Sequence, residues 1–414
     1  MKKSLQLDNF IWVCFACWIL IDSFNGYAKT NEIGIPVSQI FKTFVFVIVL
    51  IRLIRYVDVQ LILFFCFLYI VLVLSNITGS GDSTIGVLTQ LMKPLTNFFF
   101  FIYFVKCAQI NRGYFARKFD FVIVFSFVFF IANVFLGLLG FGNSIYALGD
   151  GESYGIKGFI YAQNEISGVV AVLFPLVLLR MHRNYGRQIY YMTCLFLIFI
   201  SFSIATKAAV FVAILSSCLV SFYLGEKKEK KVIVIITAIS LIAIISYISY
   251  ILASDFGMFQ RFSYFYEKNG FYEAILSGRW TYWMEQSPYF FRQDFITQLF
   301  GLGNSEINCE LDPFDALLYL GWIGLLFNVL FLGLILIIPG IRKNKNEYEK
   351  VMFISNSLIF FIAILSGHIF FSSMAGMLIA LSNAFLIDNR KELLIKRILI
   401  FIIAKKLQIK VQTQ

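Results

Sequence analysis

The chain is predicted to be an all-α polytopic membrane protein with about twelve transmembrane helices, and three observations predict it. Only 14% of its 414 residues are charged while 59% are hydrophobic, against roughly 25% charged in an ordinary soluble domain. The apolar residues fall in runs of about 20, the length a helix needs to cross a hydrocarbon core of about 30 Å. The basic residues collect in the breaks between alternate runs, as cytoplasmic loops require. A soluble globule, a disordered chain and a small disulfide scaffold are excluded by the same composition.

In order, the crossings are read near residues 9–25, 36–54, 59–77, 84–105, 120–141, 158–179, 188–205, 207–224, 232–253, 314–338, 351–367 and 369–387. The stretch 188–224 is divided only by Lys207, flanked by Ser201, Ser203 and Thr206, so it is either two helices or one long tilted one. With the N-terminus in the cytoplasm, Lys2 and Lys3, Arg52 and Arg55, the groups around Arg112, Arg183 and Lys228, then Arg342 to Lys350 and the tail from Arg390 all fall inside. Both termini are then cytoplasmic. Removing one crossing would turn every later basic loop outward. The net charge of +11 is thereby a topology signal, and no nucleic-acid partner is expected. The Met-Lys-Lys start, followed by an apolar stretch without a small-x-small cleavage site, reads as a signal anchor.

The chain divides into crossings one to nine (1–253), a large extracytoplasmic loop (254–313), the last three crossings (314–387) and a basic cytoplasmic tail (388–414). The tail resembles a basic helix on the anionic inner leaflet. The cysteines lie mainly in apolar runs, so no disulfide is expected, and no Cys/His spacing suits zinc.

The basic residues outside the cytoplasmic groups are Lys29, Lys42, Lys93, Lys157, Lys207, Arg261, Lys268, Arg279 and Arg292. Four of them sit in the 254–313 segment, where acidic residues outnumber them and Trp280, Tyr282 and Trp283 suit a membrane interface or stacking on sugar rings. A connection of that length is more often functional than a plain linker. Arg279 carries a planar fork able to hold two phosphate oxygens, unless it is simply solvated or paired with a neighbouring carboxylate; Arg261 is a weaker candidate of the same kind. Lys207, at the outer end of a crossing, either snorkels to the headgroups or meets a lipid phosphate. Gly301-Leu302-Gly303 marks a sharp turn. Glu310, Asp312 and Asp315 then stand before an apolar run, either as helix-capping acids or, for Glu310 first and Asp312 second, as a general base at the membrane surface. His368 falls near the same surface, packed or as a titrating helper.

Taken together, the order Ser277-Gly278-Arg279, Leu299 to Gly303, Glu310-x-Asp312 and Gly321-x-x-Gly324 resembles the O-antigen ligase and O-antigen polymerase superfamily. Gly158 to Glu165, with Asn164, looks like that family's phenylalanine-and-asparagine element, and Thr206-Lys207 stands where relatives carry Ser/Thr-Arg or Ser/Thr-Lys. The ligase branch has a His-Asn pair where this chain has Glu310-Leu311, so the resemblance is to the polymerase branch.

The resemblance implies a GT-C-like enzyme in the bacterial cytoplasmic (inner) membrane with its active site facing outward. It would transfer a glycan from an undecaprenyl-diphosphate carrier to a lipid-linked repeat unit with inversion. Arg279 and Lys207, helped by Arg261, would neutralise the leaving diphosphate, Asn164 and His368 would line the substrate site, and Glu310 or Asp312 would serve the acceptor hydroxyl. Cations of the chain then stand where nucleotide-sugar enzymes use a divalent metal, so neither metal nor cofactor is expected. Expected partners are the lipid-linked glycans, membrane lipid and a chain-length regulator protein. The alternatives are a ligase acting on lipid A-core, a lipid-linked oligosaccharide flippase, which should show repeated halves, and a non-catalytic scaffold.

Overall fold

The computed structural model describes residues 2–54, 59–80, 84–147, 153–160, 163–225, 266–267, 270–276, 278–303, 309–340 and 346–386. The expected crossing at 232–253 and the tail 388–414 lie outside the described residues.

The described chain is helical almost throughout. α1 (Lys2–Ala16) and α2 (Trp18–Thr30) are followed by α3 (Val37–Leu53), α4 (Val59–Ser80), α5 (Thr84–Ile110) and α6 (Arg112–Leu138). Two short strands, β1 (Asn143–Ala147) and β2 (Ser153–Gly158), then precede α7 (Gln163–Asn184), α8 (Arg187–Ile204) and α9 (Lys207–Leu224). Three short helices, α10 (Phe271–Leu276), α11 (Arg279–Phe291) and α12 (Phe295–Phe300), lead to α13 (Asp312–Gly340), α14 (Glu347–Leu365) and α15 (Ser373–Ala384).

Among the described residues seven helices are long and apolar enough to cross a membrane: α5, α6, α7, α8, α9, α13 and α14. An eighth span forms if α1 and α2, bent by 53° at Cys17, count as one. The protein is therefore a helical, polytopic membrane protein. α7 is the most enclosed of the seven, packed against α9, α14 and α15.

The 188–224 stretch is two helices. Ala205 ends α8 in the left-handed region (φ 60°), and Thr206 caps α9 by accepting the Ala209 N–H at 3.3 Å. A side chain at positive φ carries a steric cost that glycine lacks. Ala205→Gly is accordingly expected to stabilise the protein by about 0.5–1 kcal/mol, read as a rise in its thermal unfolding midpoint in detergent.

Three features depart from the sequence reading. The all-α class is modified by the antiparallel β1–β2 hairpin, which pairs Tyr146 with Tyr154. It is fastened to α6 through Asn133, whose amide donates to the Lys157 carbonyl and accepts the Phe159 N–H, each at 2.8 Å. Arg52, read as a cytoplasmic-side cation at the end of the crossing 36–54, is indeed in the last turn of α3 but is buried and paired, Asp8 taking its Nε and Nη2 at 2.8 and 2.7 Å. The described part of the hydrophilic 254–313 segment is largely helical.

α13 is broken at Gly321 (φ 65°, ψ −160°). Beside the break the Leu302 and Gly303 N–H groups donate to the Leu318 and Tyr319 carbonyls at 2.7 and 3.3 Å. This approach works only without Cβ atoms. A Cβ at Gly301 would collide with the Tyr319 carbonyl, and one at Gly321 with the carbonyls of Gln298 and Leu299. The Gly-Leu-Gly turn is thereby fused to the helix that follows Glu310.

Candidate functional site

Three segments remote in sequence meet at one end of the bundle: the start of α11, residues 309–312, and the loop 366–372 between α14 and α15. Gly278, at φ 91°, turns the chain into α11, so Arg279 is its first helical residue. Glu273 is buried beside this turn and accepts the Thr281 N–H at 3.0 Å, which fixes the direction in which α11 sets out. Trp283 stacks on Phe314 at 4.2 Å and seats α11 against α13.

Arg279 reaches across to Glu310. Its Nε and Nη2 both donate to Glu310 Oε2, at 3.2 and 2.9 Å, and its Nη1 donates to the Leu276 and Leu365 carbonyls at 3.4 Å each. The arginine side chain is 14% exposed and the glutamate 46%, so the cation is held inside while the carboxylate faces outward.

Asp312 is fully buried beneath the 366–372 loop. Its carboxylate accepts the Ile369 N–H at 2.9 Å and the Phe370 N–H at 3.0 Å. Asp315, also buried, accepts the Cys309 N–H at 2.7 Å. The acids around Pro313 thus secure loop backbones, where the local pattern suggested capping or catalysis. Burial pushes the Cys309 thiol up to about 12, with Asp315 adding to it, so Cys309 stays protonated.

Gly367 rests on the Glu310 backbone, and His368, the next residue, lies within electrostatic reach of the Glu310 carboxylate. Both Glu310 (φ 57°) and His368 (φ 64°) are left-handed, two of only four such non-glycine residues among those described. Backbone held there costs of order 1–3 kcal/mol and gathers at functional sites. Burial pushes the His368 imidazole down to about 4; Glu310 opposes that shift, while Lys93 and Arg279 reinforce it. The ring is neutral at pH 7. The unfolded ring titrates near 6.5, so this histidine is expected to make stability fall as pH drops from about 6.5 to 4, where only the unfolded chain takes up the proton. Thermal unfolding of His368→Gln against the parent over that window isolates the contribution.

Lys207 opens α9 with its side chain exposed, at the end of the bundle where α7 begins and α14 finishes. Asn164 lies in the first turn of α7, but its side chain is outside the described ones, and Arg261 is outside the described residues. Lys93 and Glu273 were given no role in the sequence reading. Both belong here, Lys93 by its charge on His368 and Glu273 by the turn it fixes.

Among the described residues no group of three or more His, Cys, Asp or Glu side chains gathers to hold a metal ion. Compared with family models, with curated proteins and with solved structures, the chain finds no match in any of the three.

Proposed function

We propose that the chain is a polysaccharide repeat-unit polymerase. It transfers a glycan from an undecaprenyl-diphosphate carrier to a lipid-linked repeat unit at the outer face of the bacterial cytoplasmic membrane. The observation that carries this reading is the Arg279–Glu310 pair, a sheltered guanidinium fork holding an outward carboxylate beside a neutral imidazole.

A fork that can grip one carboxylate oxygen can grip phosphoryl oxygens with the same N–H groups. When a diphosphate takes them, Glu310 is handed to the acceptor sugar. The acceptor oxygen then bonds to the anomeric carbon as the bond from that carbon to the phosphate oxygen breaks. The hydroxyl proton passes to Glu310 or His368, and Arg279 carries the charge that develops on the leaving diphosphate. Arg279 is also the first residue of α11, so the positive end of that helix adds to its effect. Lys207 adds a point charge without the fork. Asp312 is reserved for holding the loop that bears His368, which leaves Glu310 as the carboxylate for chemistry.

The test is complementation of cells lacking the protein with Arg279→Ala and Glu310→Gln. Both variants are expected to be present in the membrane at parental level and to leave a single repeat unit on the final acceptor. Unattached polymer on the carrier lipid would indicate the ligase reaction, and a repeat unit trapped facing the cytoplasm would indicate a flippase. Long-chain glycan at parental level from both variants would remove the proposed roles.

A further inference from the structure

A second polar network stands behind the His368 loop, and the chemistry above does not use it. It converges on Ser372 and Ser373, where α15 begins. Lys42 of α3 donates to Ser373 Oγ at 2.7 Å and to Asp22 of α2 at 2.6 Å. Trp18 donates its indole N–H to the Ser373 carbonyl at 3.0 Å. Asn97 of α5 donates to the Ser372 carbonyl at 2.9 Å, with Gly376 giving its amide room. Ser372 Oγ in turn donates to Glu165 of α7 at 2.7 Å.

Ionisable groups within a helical bundle are expensive and mark function more often than packing. Here Lys42 and Glu165 meet the hydroxyls of Ser373 and Ser372, at the end of the loop and the start of α15, while Asp22 holds Lys42. The other side of the loop is held by Asp312 through Ile369 and Phe370. His368, at left-handed φ, stands directly before the residues that Asp312 holds, and the Ser372–Ser373 contacts follow a few residues on, at the end of the same loop.

We propose that Lys42, with Asp22, and Glu165, with Asn97, form a clamp that positions His368 against Glu310, Lys42 and Glu165 being its principal positioning residues. This rests on reading the Arg279–Glu310–His368 junction as the site, and its test reads the imidazole itself. The charged groups facing that ring are Glu310 before α13, Arg279 of α11 and Lys93 of α5, with Asp312 beneath its backbone. Glu165 and Lys42 lie within electrostatic reach of Lys93, whose charge in turn reaches the ring.

The chain contains two histidines, so the full-length protein with ¹³C-labelled histidine in lipid nanodiscs gives two imidazole signals, and His182→Asn assigns them. In the parent the His368 signal is expected to titrate with a midpoint of about 4. Lys42→Met and Glu165→Leu are expected to move the midpoint up by more than about one pH unit, toward the free value near 6.5. They should also quicken modification of His368 by diethyl pyrocarbonate near neutral pH, because a loop released from the clamp exposes the buried ring. Lys42→Arg and Glu165→Gln keep a donor and an acceptor in place and should stay close to the parent. Should the apolar variants fail to fold, Ser373→Ala, which removes only the hydroxyl that meets Lys42, is expected to give a smaller rise in the same two readouts. Unchanged midpoint and modification rate in the folded variants would overturn the clamp, whatever happens to polymer. A shifted His368 together with parental polymer would uphold the clamp and remove His368 from the reaction.

Discussion

Arg279→Lys is expected to lower polymer formation by about 100-fold, nearly as far as Arg279→Ala, although the formal charge is kept. The reason is geometric. Two N–H groups of the fork, Nε and Nη2, converge on one oxygen of Glu310, and the third nitrogen is anchored to the Leu276 and Leu365 carbonyls. A lysine has one nitrogen with which to replace three, and it cannot both hold its place against the loop and present two parallel donors to a diphosphate. The measurement is in vitro extension of a lipid-linked repeat unit by the purified chain. The loss should fall on kcat more than on KM, because the charge being stabilised grows as the leaving group departs. Activity within about threefold of the parent would show that charge alone suffices and would sink the fork as the agent.

Asp312→Leu is the second large effect expected, and it concerns stability before activity. It would leave the buried Ile369 and Phe370 N–H groups without their acceptor. At about 1–3 kcal/mol for each buried donor, the loss is about 2–6 kcal/mol, a large part of the stability of an ordinary protein. The variant should melt well below the parent in detergent or fail to accumulate in the membrane. Asp312→Asn retains one carbonyl oxygen and should lose about half as much. If Asp312→Leu melted with the parent while polymer vanished, the aspartate would be doing chemistry and not holding the loop.

Much of the architecture was legible because it is set by local pattern. Runs of apolar residues give crossings, and the break at Lys207 was visible as one charge among small polar residues, which the Ala205 turn and the Thr206 cap explain. The union of Arg279 and Glu310 was suspected from their sharing one segment, and they touch. The third component was only glimpsed. His368 was noted for its depth, but nothing near it in sequence announces that its loop is fixed by Asp312, 57 positions away. For the same reason Asp312 reads as a cap, since its partners are distant, whereas Asp315 holds the nearby Cys309 N–H. Lys42 stands out in the sequence only as a cation outside the cytoplasmic groups and Glu165 only as the end of the Gly158–Glu165 element; that they meet neighbouring serines is illegible, because contacts made across five helices leave no periodicity. The hairpin escaped notice because its strands are short and its anchor, Asn133, belongs to an apolar helix.

The bond from Trp18 to the Ser373 carbonyl joins residues 355 positions apart. A ribosome must therefore deliver the chain through the start of α15 before α2 acquires this partner. Until then Lys42 and Glu165 wait in the bilayer without the serines that receive them. A nascent chain halted before α15 would lack the hydroxyls and carbonyls that meet Trp18, Lys42, Asn97 and Glu165, so these four groups are completed last in synthesis.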